Sequence, residues 1–224
     1  MKRILVISDI HGELGLLNQL LDKVQYNNAN DQLILLGDYI DRGPHSKGVI
    51  ERVIELRDGG AITLMGNHED MLLGTIDGIE FEKERYSKNG GLQTVQSYDS
   101  TIKEFRLPDT EEFHEHVKFI RSLDLFYETD DYIFVHAGVV PGKTLVDSSK
   151  NDLLWIRDQF FKTYNGQKTV IFGHTPTGRI HGDKNYAPYF GENNIIGIDG
   201  GAVFGQQLNC LILPDKSYQY VKNK

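Results

Sequence analysis

The sequence contains almost no cysteine. Cys210 is the single cysteine among 224 residues, which excludes an intramolecular disulfide and a zinc site built from several thiolates. One thiol fits a reducing compartment, because disulfides persist mainly in oxidising ones. We therefore expect a cytoplasmic protein.

Long apolar runs and an excess of basic charge are also missing. The apolar run Ile4–Ile7 ends at Ser8 and Asp9, far too early for a secretory signal. No stretch approaches the roughly 18 apolar residues of a membrane helix. Lys and Arg number 24 against 32 Asp and Glu, a formal net charge of −8, and nucleic-acid binding needs a basic face over the phosphates. We expect neither a membrane nor a nucleic-acid partner.

What is present is an ordinary globular composition. Hydrophobic residues make up 39% of the chain and charged residues 25%, which argues against disorder. At about 100–200 residues per domain, this length predicts a single domain over residues 1–224.

Hydrophobic periodicity predicts an α/β fold. Helical spacing of apolar residues indicates helices within Leu14–Val24 and Val49–Ile54. The charged stretch from about Leu72 to Leu125 is predicted to be a helical insertion. Strands alternating with helices are typical of βαβ units. Short apolar strands are predicted at Arg3–Ser8, Gln32–Leu36, Ala61–Met65, Tyr132–Val135, Thr169–Phe172, Ile195–Ile198, Leu208–Leu213 and Tyr218–Val221.

Five of these strands are each followed at once by residues of metal-binding type. In open α/β sheets, ligands bind outside the carboxyl ends of the strands, so these residues are predicted to form one site. Taken singly, each has an ordinary explanation as a cap, a turn residue or a structural histidine, but five coincidences at matching positions would then be needed. The segments are Asp9-Ile10-His11, Gly37-Asp38, Gly66-Asn67-His68-Glu69, His136-Ala137-Gly138 and Gly173-His174-Thr175.

The residue types suit divalent metals. Carboxylates can bridge two ions, neutral imidazoles are common transition-metal ligands, and an amide oxygen completes a coordination shell without adding charge. A nitrogen and oxygen set without thiolate indicates Mn, Fe, Zn or Co. The remaining histidines lack this placement and are predicted to be solvated; they are His45, His114, His116 and His181.

The ordered motifs D-x-H, G-D-x-x-D-R-G, G-N-H-E, H-A-G and G-H-T resemble the calcineurin-like metallophosphoesterase superfamily, and the match runs from Asp9 to about Gly205. More narrowly, they resemble PPP-type serine/threonine protein phosphatases, including compact bacterial and bacteriophage members. The segment Asp199–Phe204 is similar to the final core strand and turn of that family. The resemblance implies a four-layer α/β/β/α sandwich.

The resemblance also implies two divalent metal ions, with Mn2+ favoured and Fe, Zn, Co or Ni as alternatives. Asp9 and His11 would bind the first ion, and Asp38 would bridge both. The second ion would be bound by Asn67, His136 and His174. The implied reaction is in-line attack of a metal-bridging hydroxide on phosphorus, without a covalent phosphoenzyme.

Four further residues receive catalytic roles from the resemblance. His68 would be the general acid that protonates the leaving oxygen, and Asp41 would orient it. Arg42 and Arg157 would bind phosphoryl oxygens, since a guanidinium donates two hydrogen bonds to one phosphate. Arg157 depends on the Trp155-Ile156-Arg157 segment, and its alternative interpretation is a surface charge on a helix.

Three functions remain open. A serine/threonine protein phosphatase is favoured, because symmetrical tetraphosphatases of the family typically lack the aspartate that corresponds to Asp41 and read G-N-H-D where this chain has Glu69. The alternative is a bis(5'-nucleosyl)-tetraphosphatase. A non-catalytic interaction module is disfavoured, since the ligand set is complete.

The expected partner is therefore a phosphorylated protein or a small phosphate ester. We expect no obligate regulatory subunit, because the chain ends soon after its last predicted strand. The stretch Tyr86–Tyr98, which contains Asn89-Gly90-Gly91, is predicted either to border the active-site groove or to form a simple helix-capping turn.

Overall fold

The computed structural model describes residues 2–223, in which strands and helices alternate. The strands are β1 (Arg3–Ile7), β2 (Asp31–Leu35), β3 (Ile62–Thr63), β4 (Phe126–Glu128), β5 (Tyr132–Val135), β6 (Thr169–Phe172), β7 (Tyr189–Gly191), β8 (Ile195–Gly197), β9 (Gln207–Leu213) and β10 (Ser217–Lys222). The α-helices are α1 (Leu14–Lys23), α2 (Ser46–Asp58), α3 (Asn67–Ile76), α4 (Glu82–Tyr86), α5 (Leu92–Tyr98), α6 (Glu111–Arg121), α7 (Lys150–Trp155), α8 (Asp158–Thr163) and α9 (Thr177–His181). A π-helical turn spans Ser87–Gly91 and a 3-10 turn spans Ala202–Phe204.

The strands form two mixed sheets. The first has the order β10-β9-β1-β2-β3, and the second has the order β4-β5-β6-β8-β7. Within the first sheet β1, β2 and β3 are parallel, and within the second β5, β6 and β8 are parallel. In each sheet the carboxyl ends of the three parallel strands therefore lie at the same end of the sheet.

Alternation of side chains along the strands separates three apolar layers. In β1, Val6 faces the second sheet, whereas Leu5 and Ile7 face the helices, as the two-residue period of a strand requires. Helices α1, α2, α3 and α6 cover the first sheet, and α7 and α8 cover the second. The fold is the predicted α/β/β/α sandwich.

Phe134 lies at 0% exposure in the core between the two sheets. We expect Phe134→Ala to lower the free energy of unfolding by about 3–5 kcal/mol, because it removes a large apolar side chain and leaves a cavity. Urea denaturation would measure this loss. Phe190→Ala is the matched control, since Phe190 is 44% exposed and its loss is expected to cost about 1 kcal/mol or less. Equal costs at the two positions would contradict the assignment of Phe134 to the inter-sheet core.

Two short edge strands, β4 and β7, were not predicted. Each has only three residues, and β4 reads Phe126-Tyr127-Glu128, too short for an alternating pattern to be recognised. Residues 72–125 are mostly helical and contain α4, α5 and α6. The single-domain boundaries stay a prediction. Among residues 2–223, no helix is long and apolar enough to cross a membrane.

Candidate metal centre

The carboxyl ends of the parallel strands of both sheets meet at one end of the sandwich. His174, after β6, donates from its backbone N–H to Asp9 Oδ2 after β1, at 2.9 Å. His136, after β5, has its Nδ1 2.9 Å from the carbonyl oxygen of Leu36 after β2. The five motif segments therefore lie together although they are far apart in the chain.

The backbone at this end is strained. Nine non-glycine residues among residues 2–223 have φ in the left-handed region, which costs energy for side chains with a Cβ. Such strain concentrates at functional sites, where the surrounding structure holds it in place. Six of the nine belong to the predicted site, namely Asp9, His11, Asp38, Asp41, Arg42 and His174.

Two glycines allow the strand-end loops to approach closely. A Cβ at Gly66 would lie 2.2 Å from Asp38 Oδ1, and one at Gly173 would lie 2.2 Å from Asp9 Oδ2. Both distances are far below van der Waals contact. These positions thus require glycine so that the two carboxylates can lie at the centre of the site.

One cluster joins Asp38, Asn67, His136 and His174. Asn67 Oδ1 lies 2.9 Å from His136 Nε2 and 2.7 Å from His174 Nδ1, and His136 Nε2 lies 3.5 Å from Asp38 Oδ1. The pKa of His136 is lowered, chiefly by burial, so its imidazole is neutral near pH 7.

The hydrogen bonds of His136 determine which atom faces the cluster. Its Nδ1–H donates to the Leu36 carbonyl, so a neutral ring has only a lone pair on Nε2. When Asp38 is ionised, that lone pair faces two oxygen acceptors, on Asn67 and Asp38. An arrangement in which several buried lone pairs face one another, with no hydrogen between them, is unfavourable unless a cation lies among them. The donor set therefore fits a divalent metal ion.

A second cluster shares Asp38 and includes His11. His11 Nδ1 donates to the carbonyl of Ile40 at 2.8 Å, which leaves Nε2 facing Asp38 Oδ2 at 3.5 Å and Arg42 Nη1 at 2.7 Å. Holding one ring nitrogen in this way fixes the tautomer, as is usual for metal-binding histidines. The ligand atoms of His11, Asp38 and His68 lie within 4.8 Å of one another, as do those of Asp38, His136 and His174.

Repulsion among the buried carboxylates supports the same conclusion. Burial, followed by the nearby Asp9 charge, raises the pKa of both Asp38 and Asp199 well above the usual range. The buried histidines stay neutral, since burial lowers the pKa of His11 as well. A divalent cation would remove this repulsion, because it favours the ionised carboxylates.

His68 and Asp41 form a buried pair beside Asp38. His68 Nδ1 lies 2.6 Å from Asp41 Oδ2, and Thr94 Oγ1 donates to Asp41 Oδ1 at 2.5 Å. Burial raises the pKa of Asp41 to about 7 and lowers the pKa of His68. Near neutrality Asp41 therefore occurs both protonated and ionised, and a protonated Asp41 that donates to Nδ1 leaves the neutral imidazole with its hydrogen on Nε2. That Nε2 lies 4.0 Å from Asp38 Oδ2.

A cavity of about 170 Å³ opens onto part of the site. Of the ten residues proposed from the sequence, five line it: Asp9, His11, Arg42, Arg157 and His174. The other five, Asp38, Asp41, Asn67, His68 and His136, are buried and do not line it. The cavity thus gives a bound molecule access to two arginines.

Arg157 is not a surface charge in the middle of a helix. It precedes α8, with φ of −137° and ψ of −110°, and is only partly exposed. Its guanidinium donates to Thr175 Oγ1 at 2.8 Å, beside His174. The alternative interpretation from the sequence therefore does not describe its position.

The Tyr86–Tyr98 stretch borders the Asp41–Arg42 segment. The Gly90 carbonyl accepts a hydrogen bond from the backbone N–H of Arg42 at 3.2 Å. Thr94, in the same stretch, accepts from the backbone N–H of Asp41 at 2.9 Å. The stretch therefore holds the backbone that presents Asp41 and Arg42.

Two acidic residues at the site have contacts that the sequence did not reveal. Glu69 accepts 2.9 Å hydrogen bonds from the backbone N–H groups of Asp38, Tyr39 and Gly66, so it joins two strand-end loops. Asp199 lines the cavity. Their motifs, G-N-H-E and Asp199-Gly200-Gly201, were recognised, but a motif does not state which atoms its carboxylates contact.

The predicted solvent exposure of His116 was wrong. It is buried, and its Nδ1 lies 2.7 Å from the hydroxyl of Tyr98. On α6, His116 falls on the same face as Phe113, Val117 and Ile120. His45 and His114 are exposed, whereas His181 is partly buried, with Nε2 3.2 Å from the carbonyl of Ala187.

The chain is similar to several proteins of known sequence or structure. An asymmetrical bis(5'-nucleosyl)-tetraphosphatase of Oceanobacillus iheyensis is 29% identical, covering 98% of this chain and 92% of that protein. A candidate diadenosine tetraphosphatase of known structure superposes over 100% of this chain and 94% of its own, with a TM-score of 0.74 and 20% identity. A serine/threonine phosphatase from Saccharomyces cerevisiae superposes over 100% of this chain and 80% of its own, with a TM-score of 0.66 and 14% identity. At these identities the two structures demonstrate a shared fold.

The sequence profile described as calcineurin-like phosphoesterase matches residues 2–203, most of the chain. The match includes the five strand-end segments and the Asp199-Gly200-Gly201 turn. On this evidence the chain belongs to the calcineurin-like phosphoesterase family.

Proposed function

We propose that this phosphoesterase hydrolyses dinucleoside tetraphosphates asymmetrically, to a nucleoside monophosphate and a nucleoside triphosphate. The observation that carries the proposal is the near end-to-end match to an asymmetrical bis(5'-nucleosyl)-tetraphosphatase. The protein-phosphatase expectation has no comparable specific support, so the relatives favour what was the alternative.

The charge distribution of the site supports a polyphosphate substrate. Arg42 and Arg157 both line the 170 Å³ cavity, where guanidinium groups can bind phosphoryl oxygens in a bidentate manner. Their charges are local, so an acidic chain can still attract an anion. Asp9, His11 and Asp38, with Asn67, His136 and His174, would hold two divalent ions. When bound, such ions lower the pKa of a coordinated water and stabilise charge on phosphoryl oxygens.

The geometry of the Asp41–His68 pair supports a role for His68 in proton transfer. When Asp41 is protonated it donates to Nδ1 of His68, so Nε2 carries the hydrogen that can be donated to a leaving oxygen. After donation, a proton on Asp41 can pass to Nδ1 across the 2.6 Å hydrogen bond. His68 is thus the general acid of the proposal and Asp41 its positioning residue.

A serine/threonine protein phosphatase is the second candidate, favoured by the presence of Asp41. The other discriminating position carries less information, because Glu69 joins backbone loops and does not line the cavity. Whether this position is Glu or Asp therefore affects the geometry of the loops more than the choice of substrate. Asp41 is the one residue that still favours this candidate.

Side-by-side kinetics with Mn2+ test the proposal. We expect kcat/KM for diadenosine tetraphosphate to exceed that for a phosphoserine peptide by about tenfold or more, a preference of about 1.4 kcal/mol in transition-state binding. Anion-exchange chromatography should resolve AMP and ATP as products. ADP alone would make the cleavage symmetrical, and a higher kcat/KM for the phosphopeptide would refute the proposal in favour of the second candidate.

A further inference from the structure

A second cleft, of about 450 Å³, lies at the open edge of the sandwich. Its residues come from β10 and the following Asn223, from the 184–187 segment before β7, and from Gly205 to Gln207. We call it the edge cleft. It is separate from the 170 Å³ cavity, and none of the ten site residues lines it.

Strand register explains why the edge cleft is open. Tyr218 pairs with Leu211 and Tyr220 with Asn209, and Leu211 belongs to the core between the sheets. Tyr218 and Tyr220 are therefore on the inner face of β10. Because β10 is an edge strand, this face extends beyond the second sheet, and both tyrosines remain partly exposed.

The chemistry of the edge cleft differs from that of the rest of the chain. Lys184 and Lys222 line it together with Tyr186, Tyr218 and Tyr220, and none of its eleven lining residues is acidic. In a chain of net charge −8, two lysines and no carboxylate line this cleft. Lysines bind phosphate as point charges, and aromatic rings stack on nucleobases. Amide side chains such as those of Asn and Gln recognise base edges.

Consecutive residues of one turn line the 170 Å³ cavity and the edge cleft. Val203 and Phe204 line the cavity, and the next residue, Gly205, lines the cleft. The backbone N–H of Gln206 donates to the carbonyl of Gly201 at 3.2 Å, which closes these residues into a tight turn. Phe204 is 58% exposed, and its ring centroid lies 5.2 Å from the Arg42 guanidinium carbon. A molecule that leaves Arg42 toward the cleft would cross this ring.

We propose that the edge cleft binds the distal nucleotide of a dinucleoside polyphosphate, with Lys184 and Lys222 on its phosphate and the tyrosines against its base. The inference rests on the proposed function, because it needs a substrate long enough to extend from the metal centre over Phe204. The metal centre and its arginines contact only the phosphate of a substrate. Binding of the distal nucleotide in the edge cleft would let the enzyme distinguish a dinucleotide from a simple phosphate ester.

The test compares two double variants of equal net charge. Lys184→Glu/Lys222→Glu reverses the charge of the edge cleft, and Lys103→Glu/Lys118→Glu makes the same change at exposed lysines elsewhere. The measured quantity is kcat/KM for diadenosine tetraphosphate divided by kcat/KM for 4-nitrophenyl phosphate. We expect this ratio to fall by about tenfold or more in the cleft variant, the scale of lost charge-assisted hydrogen bonds, and to stay at the wild-type value in the control.

A binding measurement separates this inference from the proposed function. ADP is titrated by calorimetry into each protein in EDTA, so that metal ions and turnover do not contribute. Weaker binding of ADP by the cleft variant than by the control supports the cleft even if diadenosine tetraphosphate is not hydrolysed, which would refute only the proposed function. Equal binding by both variants, or no binding by the wild type, would overturn the inference. Tyr218→Leu, which removes a ring without changing charge, should also weaken ADP binding.

Discussion

Asp38→Asn is expected to lower kcat/KM for diadenosine tetraphosphate by about 10³-fold, since bound metal ions supply several kcal/mol of charge stabilisation. Asp38 is the residue common to both groups of ligand atoms. Its Oδ2 lies 3.5 Å from His11 Nε2, and its Oδ1 lies 3.5 Å from His136 Nε2. Asparagine keeps the shape but removes the negative charge that would hold two cations.

In the Asp38→Asn variant, the metal content and the activity should both fall. Inductively coupled plasma analysis after reconstitution with Mn2+ would measure the metal, and EDTA added to the wild type should reproduce the loss of activity. Asp31→Asn is the matched control, because Asp31 is also buried but pairs with Arg3 at 2.9 Å at the opposite end of β2. It should lose stability and keep its metal. Equal wild-type rates with and without EDTA would refute the metal centre.

His68→Asn is expected to reduce turnover by about 10²-fold or more, the usual contribution of a general acid, while the metal content stays at the wild-type level. The geometry supports an acid more than a ligand. Nδ1 is held by Asp41 at 2.6 Å, and Nε2 is 4.0 Å from Asp38 Oδ2, farther than the 3.5 Å between His11 Nε2 and the same oxygen.

The leaving group provides a sharper test of this role. An acid matters more when the leaving oxygen is more basic, so the variant should lose more activity on phenyl phosphate than on 4-nitrophenyl phosphate. His116→Asn is the control, since His116 is also buried but contacts Tyr98 outside the site. A fall in metal content in His68→Asn would instead make His68 a ligand, consistent with its place near His11 and Asp38.

Much of the core architecture could be predicted because it depends on local patterns. Strands β5 and β6 have the predicted bounds, and β1 and β2 differ from prediction by one residue. These strands are buried, so their apolar runs are nearly continuous. The short edge strands β4 and β7 were missed because their few residues carry little periodic signal. The burial of His116 was not predicted, because it depends on the helical face that His116 shares with Phe113 and Val117.

The sequence by itself determined the chemistry of this protein. Its ordered motifs contain the carboxylates, imidazoles and arginines of the site, and they follow buried strands whose ends must meet at a sheet edge. Motif order and residue type are local properties, so they could be recognised without coordinates.

The tertiary structure decided how those residues are held and what else lies beside them. Only the folded chain brings Asp9 to His174 and Leu36 to His136 across two sheets. The role of Glu69 in joining loops and the edge cleft beside β10 likewise involve residues distant in sequence. Their physical basis is long-range packing, since the chain register and the overlap of two sheets set which side chains meet, and no local pattern encodes that overlap.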